Sequence, residues 1–156
     1  MDKTAFGNLV MENEVQLYRI AKAILRKDED CMDAAQEAVT KAFERLDTLR
    51  NDAFAKTWLI RILIHECCTL AKERKRLIPI EFGWRDETSE KQDYSSLYKA
   101  LSDLEPEFRI VLVLHYLEGY QIQEISRMLE IPEGTVKSRL YRGRDKMRTL
   151  LSEEDA

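Results

Sequence analysis

With one lapse, apolar residues recur along this chain at three- and four-residue intervals, and nowhere does a convincing apolar–polar alternation mark a strand. That periodicity restricts the chain to helices packed on helices. Leu17, Ile20 with Ala21, and Ile24 start the pattern, widened by Tyr18 and Leu25, and predict an amphipathic helix up to Arg26. Asp28, Glu29 and Asp30 suit a turn leading into the next N-terminus, where carboxylates favour the helix dipole. Ala35, Ala38, Val39, Ala42, Phe43 and Leu46 carry the second helix. Arg50, Asn51 and Asp52 break the period, and a third, long helix is expected from about Ala53 to Lys75, with Trp58, Ile62 and Leu70 among its apolar positions.

The lapse lies between about Arg76 and Asp93. There Pro79, Gly83 and the acidic Asp86, Glu87 and Glu90 mark a connection, while Ile80, Phe82 and Trp84 suit it to covering a core edge. A domain boundary is expected here, giving a first domain over 1–76, a linker over 77–94 and a second domain over 95–156. Beyond it Leu97, Ala100, Leu101 and Leu104 predict a short helix, and Pro106 suits the first position of another that ends before Gly119. Gln121 to Glu130 form the next helix, Ile131 to Gly134 a tight turn, and a last helix has the stripe Val136, Leu140, Gly143, Met147 and Leu150. The fold class is therefore all-α, in two small helical domains, which 156 residues can supply.

A net charge of −4 argues superficially against a nucleic-acid partner, but the distribution decides. Arg61, Lys72, Arg74, Lys75 and Arg76 outnumber Glu66 and Glu73 in one island; Lys137, Arg139, Arg142, Arg144, Lys146 and Arg148 face only Asp145 in another. Two basic helices in an acidic chain suggest two separate contacts with a polyanion. No apolar run approaches the roughly 18 to 20 residues of a membrane span. The N-terminus has neither a basic nor an apolar leader pattern, and three cysteines without framework spacing suit a reducing cytoplasm. Metal and cofactor are not expected: His65 and Cys68 share a helix face, Cys67 points away, and no Cys-x-x-Cys pair completes a set. Nor is there a nucleophile elbow, a phosphate loop or a His-Glu-x-x-His pattern, so the chain is not expected to be an enzyme.

A helix of about nine residues, a turn with Pro132 and Gly134, and a basic second helix make a helix-turn-helix arrangement. With Val136 and Leu140 packed inward, Lys137, Ser138, Tyr141 and Arg142 face outward, able to meet phosphates and base edges. The run from Gly119-Tyr120 through Ile131-Pro132-Glu133-Gly134-Thr135-Val136-Lys137-Ser138-Arg139-Leu140-Tyr141-Arg142 resembles region 4 of the extracytoplasmic-function (ECF) sigma factors. Gly143 stands between Arg142 and Arg144 where that family typically has alanine.

Asp33-Ala34-Ala35-Gln36-Glu37 resembles the family's region 2.2, and Thr57-Trp58-Leu59 with Arg61-Ile62 resembles regions 2.3 and 2.4. The resemblance implies that Asp33, Gln36 and Glu37 dock on the clamp helices of the largest polymerase subunit. It places Thr135, Lys137, Ser138, Arg139, Tyr141, Arg142 and Arg144 on the minus-thirty-five element. The loop Leu49 to Ala55, with Arg50, Asn51, Asp52 and Phe54, would hold a flipped base of the minus-ten element, since it supplies a cation, hydrogen-bonding groups and a ring. Lys56, Thr57, Trp58, Arg61, His65 and Thr69 follow on the same helix; Trp58, an aromatic at helical spacing, reads first as core and second as a stacking platform, and Lys56, Thr57 and Arg61 suit the strand backbone better. His65 and Thr69 stand where the family commonly has Asn and Asp or Asn, so the resemblance carries over the mechanism but not a promoter sequence preference.

The implied function is a sigma subunit that binds core RNA polymerase, including its beta flap, recognises promoter DNA and answers to an anti-sigma factor. Two other readings stay open on sequence. A free-standing helix-turn-helix regulator would bind a palindromic site without polymerase, and a sigma-like docking adaptor would be indifferent to Lys137, Ser138 and Arg142.

Overall fold

A computed structural model of the chain describes residues 1–77 and 95–155; the connection expected between them, from Ile78 on, lies outside the described residues. Eight α-helices are described: α1 Lys3–Glu12, α2 Glu14–Leu25, α3 Asp28–Glu44, α4 Ala55–Leu77, α5 Ser95–Asp103, α6 Pro106–Leu112, α7 Ile122–Leu129 and α8 Glu133–Asp155. Two short 3₁₀ turns, Leu46–Thr48 and Asp52–Phe54, join α3 to α4, and a π-helical turn, Val113–Leu117, extends α6.

The first helix is the one the periodicity did not announce. Asp2 caps it by accepting from the Ala5 N–H at 2.7 Å, and it ends where the Asn13 side chain donates to the Leu9 carbonyl at 2.8 Å. Its contribution is Phe6, fully buried, which meets Phe43 edge-on at 5.0 Å and Trp58 at 5.9 Å between ring centroids. Beneath that cluster α2, α3 and α4 pack as a bundle. Ala34, Ala38 and Ala42 give α3 a narrow buried face, against which Ile20 and Ile24 of α2 and Leu59, Ile60 and Leu63 of α4 close. Asp28, Glu29 and Asp30 form the first turn of α3 itself, not the turn before it, so their carboxylates lie at the positive end of that helix. Arg74 of α4 ties back to Asp30 at 3.0 Å.

In the second half, Pro106 opens α6 as its fixed φ favours, and Gly119, at φ +75°, ends the π-helical turn in a conformation that a side chain resists. Gln121 and Glu124 close a capping box at the start of α7. Pro132 accepts the first bonds of α8, from Thr135 and Val136, so Gly134 sits in the first turn of that helix instead of in the preceding loop. Val136 and Leu140 are buried as their spacing requires. At Gly143 the helix comes so close to α6 that an added Cβ would stand 3.1 Å from the Leu112 Cδ1.

The two halves pack against each other, and a buried cation joins them. Arg109 of α6 is 3% exposed; its guanidinium donates to the Ile24 carbonyl of α2 at 2.6 Å and to Leu104 and Ser102 carbonyls at 2.8 and 3.3 Å. Its Nε has no partner among the described residues, and burial holds its pKa below the ordinary arginine value although the group stays charged. The carbonyls it serves lie at helix C-termini, where donors from within the helix run out. Just beyond, Arg26 sits at φ 68°, ψ −47°, with the Lys27 N–H donating to the Leu25 carbonyl at 2.8 Å. This is a γ-turn of the strained hand, and Lys22 steadies it from the Arg26 carbonyl.

Two outcomes follow. Arg109→Met, which keeps an unbranched apolar stem but none of the donors, should lower the urea-unfolding midpoint by the equivalent of about 2 kcal/mol or more; an unchanged midpoint would mean that the guanidinium does not hold the halves together. Burial pushes the Cys31 thiol up to about 12 and raises that of Cys67 as well, so both thiolates are suppressed in the native protein. In a Cys68→Ser variant, which removes the one half-buried thiol, labelling of these two cysteines by a thiol reagent at pH 8 should track unfolding with urea; fast labelling of that native variant would contradict their burial.

Candidate nucleic-acid interface

The helix-turn-helix is built by α7, the turn Glu130–Pro132 and α8. Ile125 and Met128 fix α7 to the core, and Glu130 turns the chain in the left-handed region at φ 55°. Ser126 locks the turn by donating to the Ile131 carbonyl at 2.5 Å. This leaves Lys137, Ser138, Tyr141 and Arg142 exposed along one side of α8, Tyr141 to 68%, with Thr135 and Arg139 partly covered. Lys137 and Arg142 make no ion pair among the described residues, so their charge is available to a polyanion. Arg139 lies 3.8 Å from Glu107, and Arg144 donates to the Tyr116 hydroxyl at 2.6 Å. Lys146 is held by Glu105 at 2.7 Å and lies over the Phe108 ring.

A second face runs along α4. Arg61, His65 and Thr69, four residues apart, are all exposed, and the loop ahead of the helix presents Arg50, Asn51, Asp52 and a half-exposed Phe54. Several of these groups have internal partners. Asn51 accepts from the Ala53 N–H at 3.0 Å, Asp52 pairs with the N-terminal amine at 3.0 Å, and Thr57 and Thr69 donate to the Phe54 and His65 carbonyls. Lys56 and Thr57 are half-buried, and Trp58, also partly covered, is packed on Phe6 as part of the bundle. The side chains of Phe54 and Arg50 are exposed and have no such internal partner among the described residues.

On α3, Asp33, Gln36 and Glu37 share an exposed polar side, opposite the buried alanines. Lys41 stands beside Glu37 at 3.9 Å and is drawn to the nearly buried Glu66 at 2.6 Å, a hydrogen bond that raises its pKa. Between α5, α6 and α8 an open apolar groove of about 450 Å³ is lined by Leu101, Leu112, Tyr116, Leu117 and Met147, with Arg144 and Arg148 its charged members.

Two features were not anticipated from the sequence. Glu118 and Glu130, both at helix ends of the second half, hold arginines of the first half in two-bond forks. Arg19 reaches Glu118 at 2.8 and 2.9 Å, and Arg61 reaches Glu130 at 2.6 Å through both nitrogens. Glu130 had a sequence signal in its place, directly before Ile131-Pro132, where α7 must end; Arg109 had one in being a charge inside an apolar run. Among the described residues no group of three metal-ligating side chains comes together.

Comparison with known proteins agrees with this arrangement. Residues 9–77 match the family described as Sigma-70 region 2, and residues 94–147 match Sigma-70 region 4. The ECF RNA polymerase sigma factor SigM of Mycobacterium tuberculosis is 34% identical over 154 residues, spanning 96% of this chain and 79% of that protein. RNA polymerase sigma factor SigV of Bacillus subtilis is 28% identical over 161 residues, covering 98% and 95%. In fold, the chain resembles the sigma factor RpoE of Bartonella quintana, solved with the anti-sigma factor NepR, at a TM-score of 0.74 and 22% identity over 95% of this chain and 97% of that one. It equally resembles CnrH, solved with the cytosolic domain of CnrY, at 0.75 and 24% over 97% and 90%. With two basic helical faces, a polar face on α3 and sequence similarity along nearly its whole length, the chain belongs to the ECF family of RNA polymerase sigma factors.

Proposed function

We propose that the chain works as a sigma factor through three separate faces. As an ECF sigma factor it binds core RNA polymerase and directs promoter-specific initiation; the bond-making chemistry belongs to the polymerase, and the place of action is the cytoplasm. Residues 1–76 act as the region 2 domain and 95–156 as the region 4 domain, joined over 77–94. Lys137, Ser138, Tyr141 and Arg142, with Thr135, Arg139 and Arg144 beside them, meet the minus-thirty-five element in the major groove. Arg50, Asn51, Asp52 and Phe54 receive a base of the melted minus-ten element, and Lys56, Thr57, Trp58, Arg61, His65 and Thr69 line the strand. Asp33, Gln36 and Glu37 dock on the clamp helices, and the apolar groove between α5, α6 and α8 is the surface for the beta flap.

The observation that carries this reading is the division of exposed charge. The basic face of α8 and the row Arg61, His65, Thr69 on α4 lie on different halves of the molecule, while the polar face of α3 carries carboxylates and so does not suit DNA. One solved neighbour is held by an anti-sigma factor; this chain, by extension, has an anti-sigma partner of its own.

Reconstituted transcription with bacterial core polymerase tests it. Arg142→Ala should leave the complex with core intact and reduce promoter-dependent initiation by roughly 5- to 100-fold, the worth of one good contact to DNA. Glu37→Lys should abolish initiation by weakening binding to core, with the helix-turn-helix unaltered. If Arg142→Ala initiates normally, the minus-thirty-five assignment fails; if Glu37→Lys binds core normally, the docking assignment fails.

A further inference from the structure

The family reading gives Arg61 a DNA strand to hold, yet in this structure the Arg61 guanidinium is already held. Its Nη1 and Nη2 donate to the two carboxylate oxygens of Glu130, both at 2.6 Å, in the fork that arginine also makes with phosphate. Glu130 belongs to the turn of the helix-turn-helix, so the residue that positions the recognition helix also fills the anion position of the minus-ten face. The arrangement does not rest on that pair alone. Arg19 and Glu118 make a second fork with the carboxylate side chain fully covered, Gln16 donates to the Tyr120 hydroxyl at 3.0 Å, Arg26 to the Ser102 hydroxyl at 3.0 Å, and the buried Arg109 reaches the Ile24 carbonyl. In both forks the cation comes from the first half and the carboxylate from the second.

We propose that Glu130 is a built-in competitor for DNA: in the unassembled chain its carboxylate occupies the phosphate site of Arg61. Promoter strand and helix-turn-helix turn then exclude each other at one guanidinium, and the minus-ten face becomes available only as the second half moves away. The inference rests on the assignment of Arg61 to the strand. The pair is exposed, with Arg61 46% and Glu130 63% accessible in their side chains, so its effect is modest and weakens with salt.

The test is a double-mutant cycle on the full-length protein, measuring by anisotropy its binding to a fluorescein-labelled, mixed-sequence single-stranded DNA 20-mer at low salt. Glu130→Gln, isosteric and on the surface, should tighten binding roughly fivefold, the upper range for an exposed ion pair. Arg61→Gln should weaken it, and adding Glu130→Gln to Arg61→Gln should give no further gain. Circular dichroism of each variant checks that the helices are intact. If Arg61→Gln weakens binding but Glu130→Gln leaves it unchanged, the competitor role is wrong while the strand assignment survives. Equal tightening in both backgrounds would show only the removal of a negative charge, which also overturns the proposal. If Arg61→Gln has no effect, or no variant binds, the strand assignment fails and the competitor role with it.

Discussion

The carbonyl end of α2 finds a donor in the other half of the molecule, and the relative placement of the exposed faces of α4 and α8 depends on that. A helix leaves its last carbonyls without internal partners, and here the chain leaves α2 through a strained γ-turn at Arg26. Arg109 supplies the missing donor while also bonding the Leu104 and Ser102 carbonyls at the end of α5. One guanidinium thereby joins two helix ends from opposite halves. Burying it is tolerable because its donors meet several oxygens at once, and the cost falls on an Nε with no partner among the described residues.

From that joint the rest is positioned by ordinary packing. The buried alanines of α3 let α2 and α4 close around it, which turns Asp33, Gln36 and Glu37 outward on one side and sets the Arg61, His65 and Thr69 row on another. In the second half, Ile125, Met128, Val136 and Leu140 fix α7 against α8, and the close approach of Gly143 to Leu112 brings α8 onto α6. An alanine at that position would gain helix propensity but press on Leu112, so the glycine that departs from the family pattern has a packing reason.

The electrostatics divide along the same line. Lys137 and Arg142, on the open side of α8, have no ion-pair partner among the described residues, whereas Arg61 is satisfied within the protein. An overall acidic chain with its cations partly neutralised in this way attracts free DNA weakly, which suits a factor whose DNA reading belongs to an assembly with polymerase.

The sequence by itself determined the helices and their inward faces, because a three-and-four apolar period can be buried only one way; Val136 with Leu140 and Ile20 with Ile24 lie inside as their spacing demands. It also determined the family, because the runs around Asp33 to Glu37, Thr57 to Ile62 and Gly119 to Arg142 are local and read in order. The short α1 escaped, since its buried anchor is the single Phe6, whose value lies in Phe43 and Trp58 far along the chain. What only the tertiary structure decided is which charges meet. Arg61 with Glu130, Arg19 with Glu118 and Arg109 with Ile24 are 69 to 99 residues apart. Such pairs leave no periodicity, because their contact is set by how the two halves pack against each other and not by the local spacing that makes each helix.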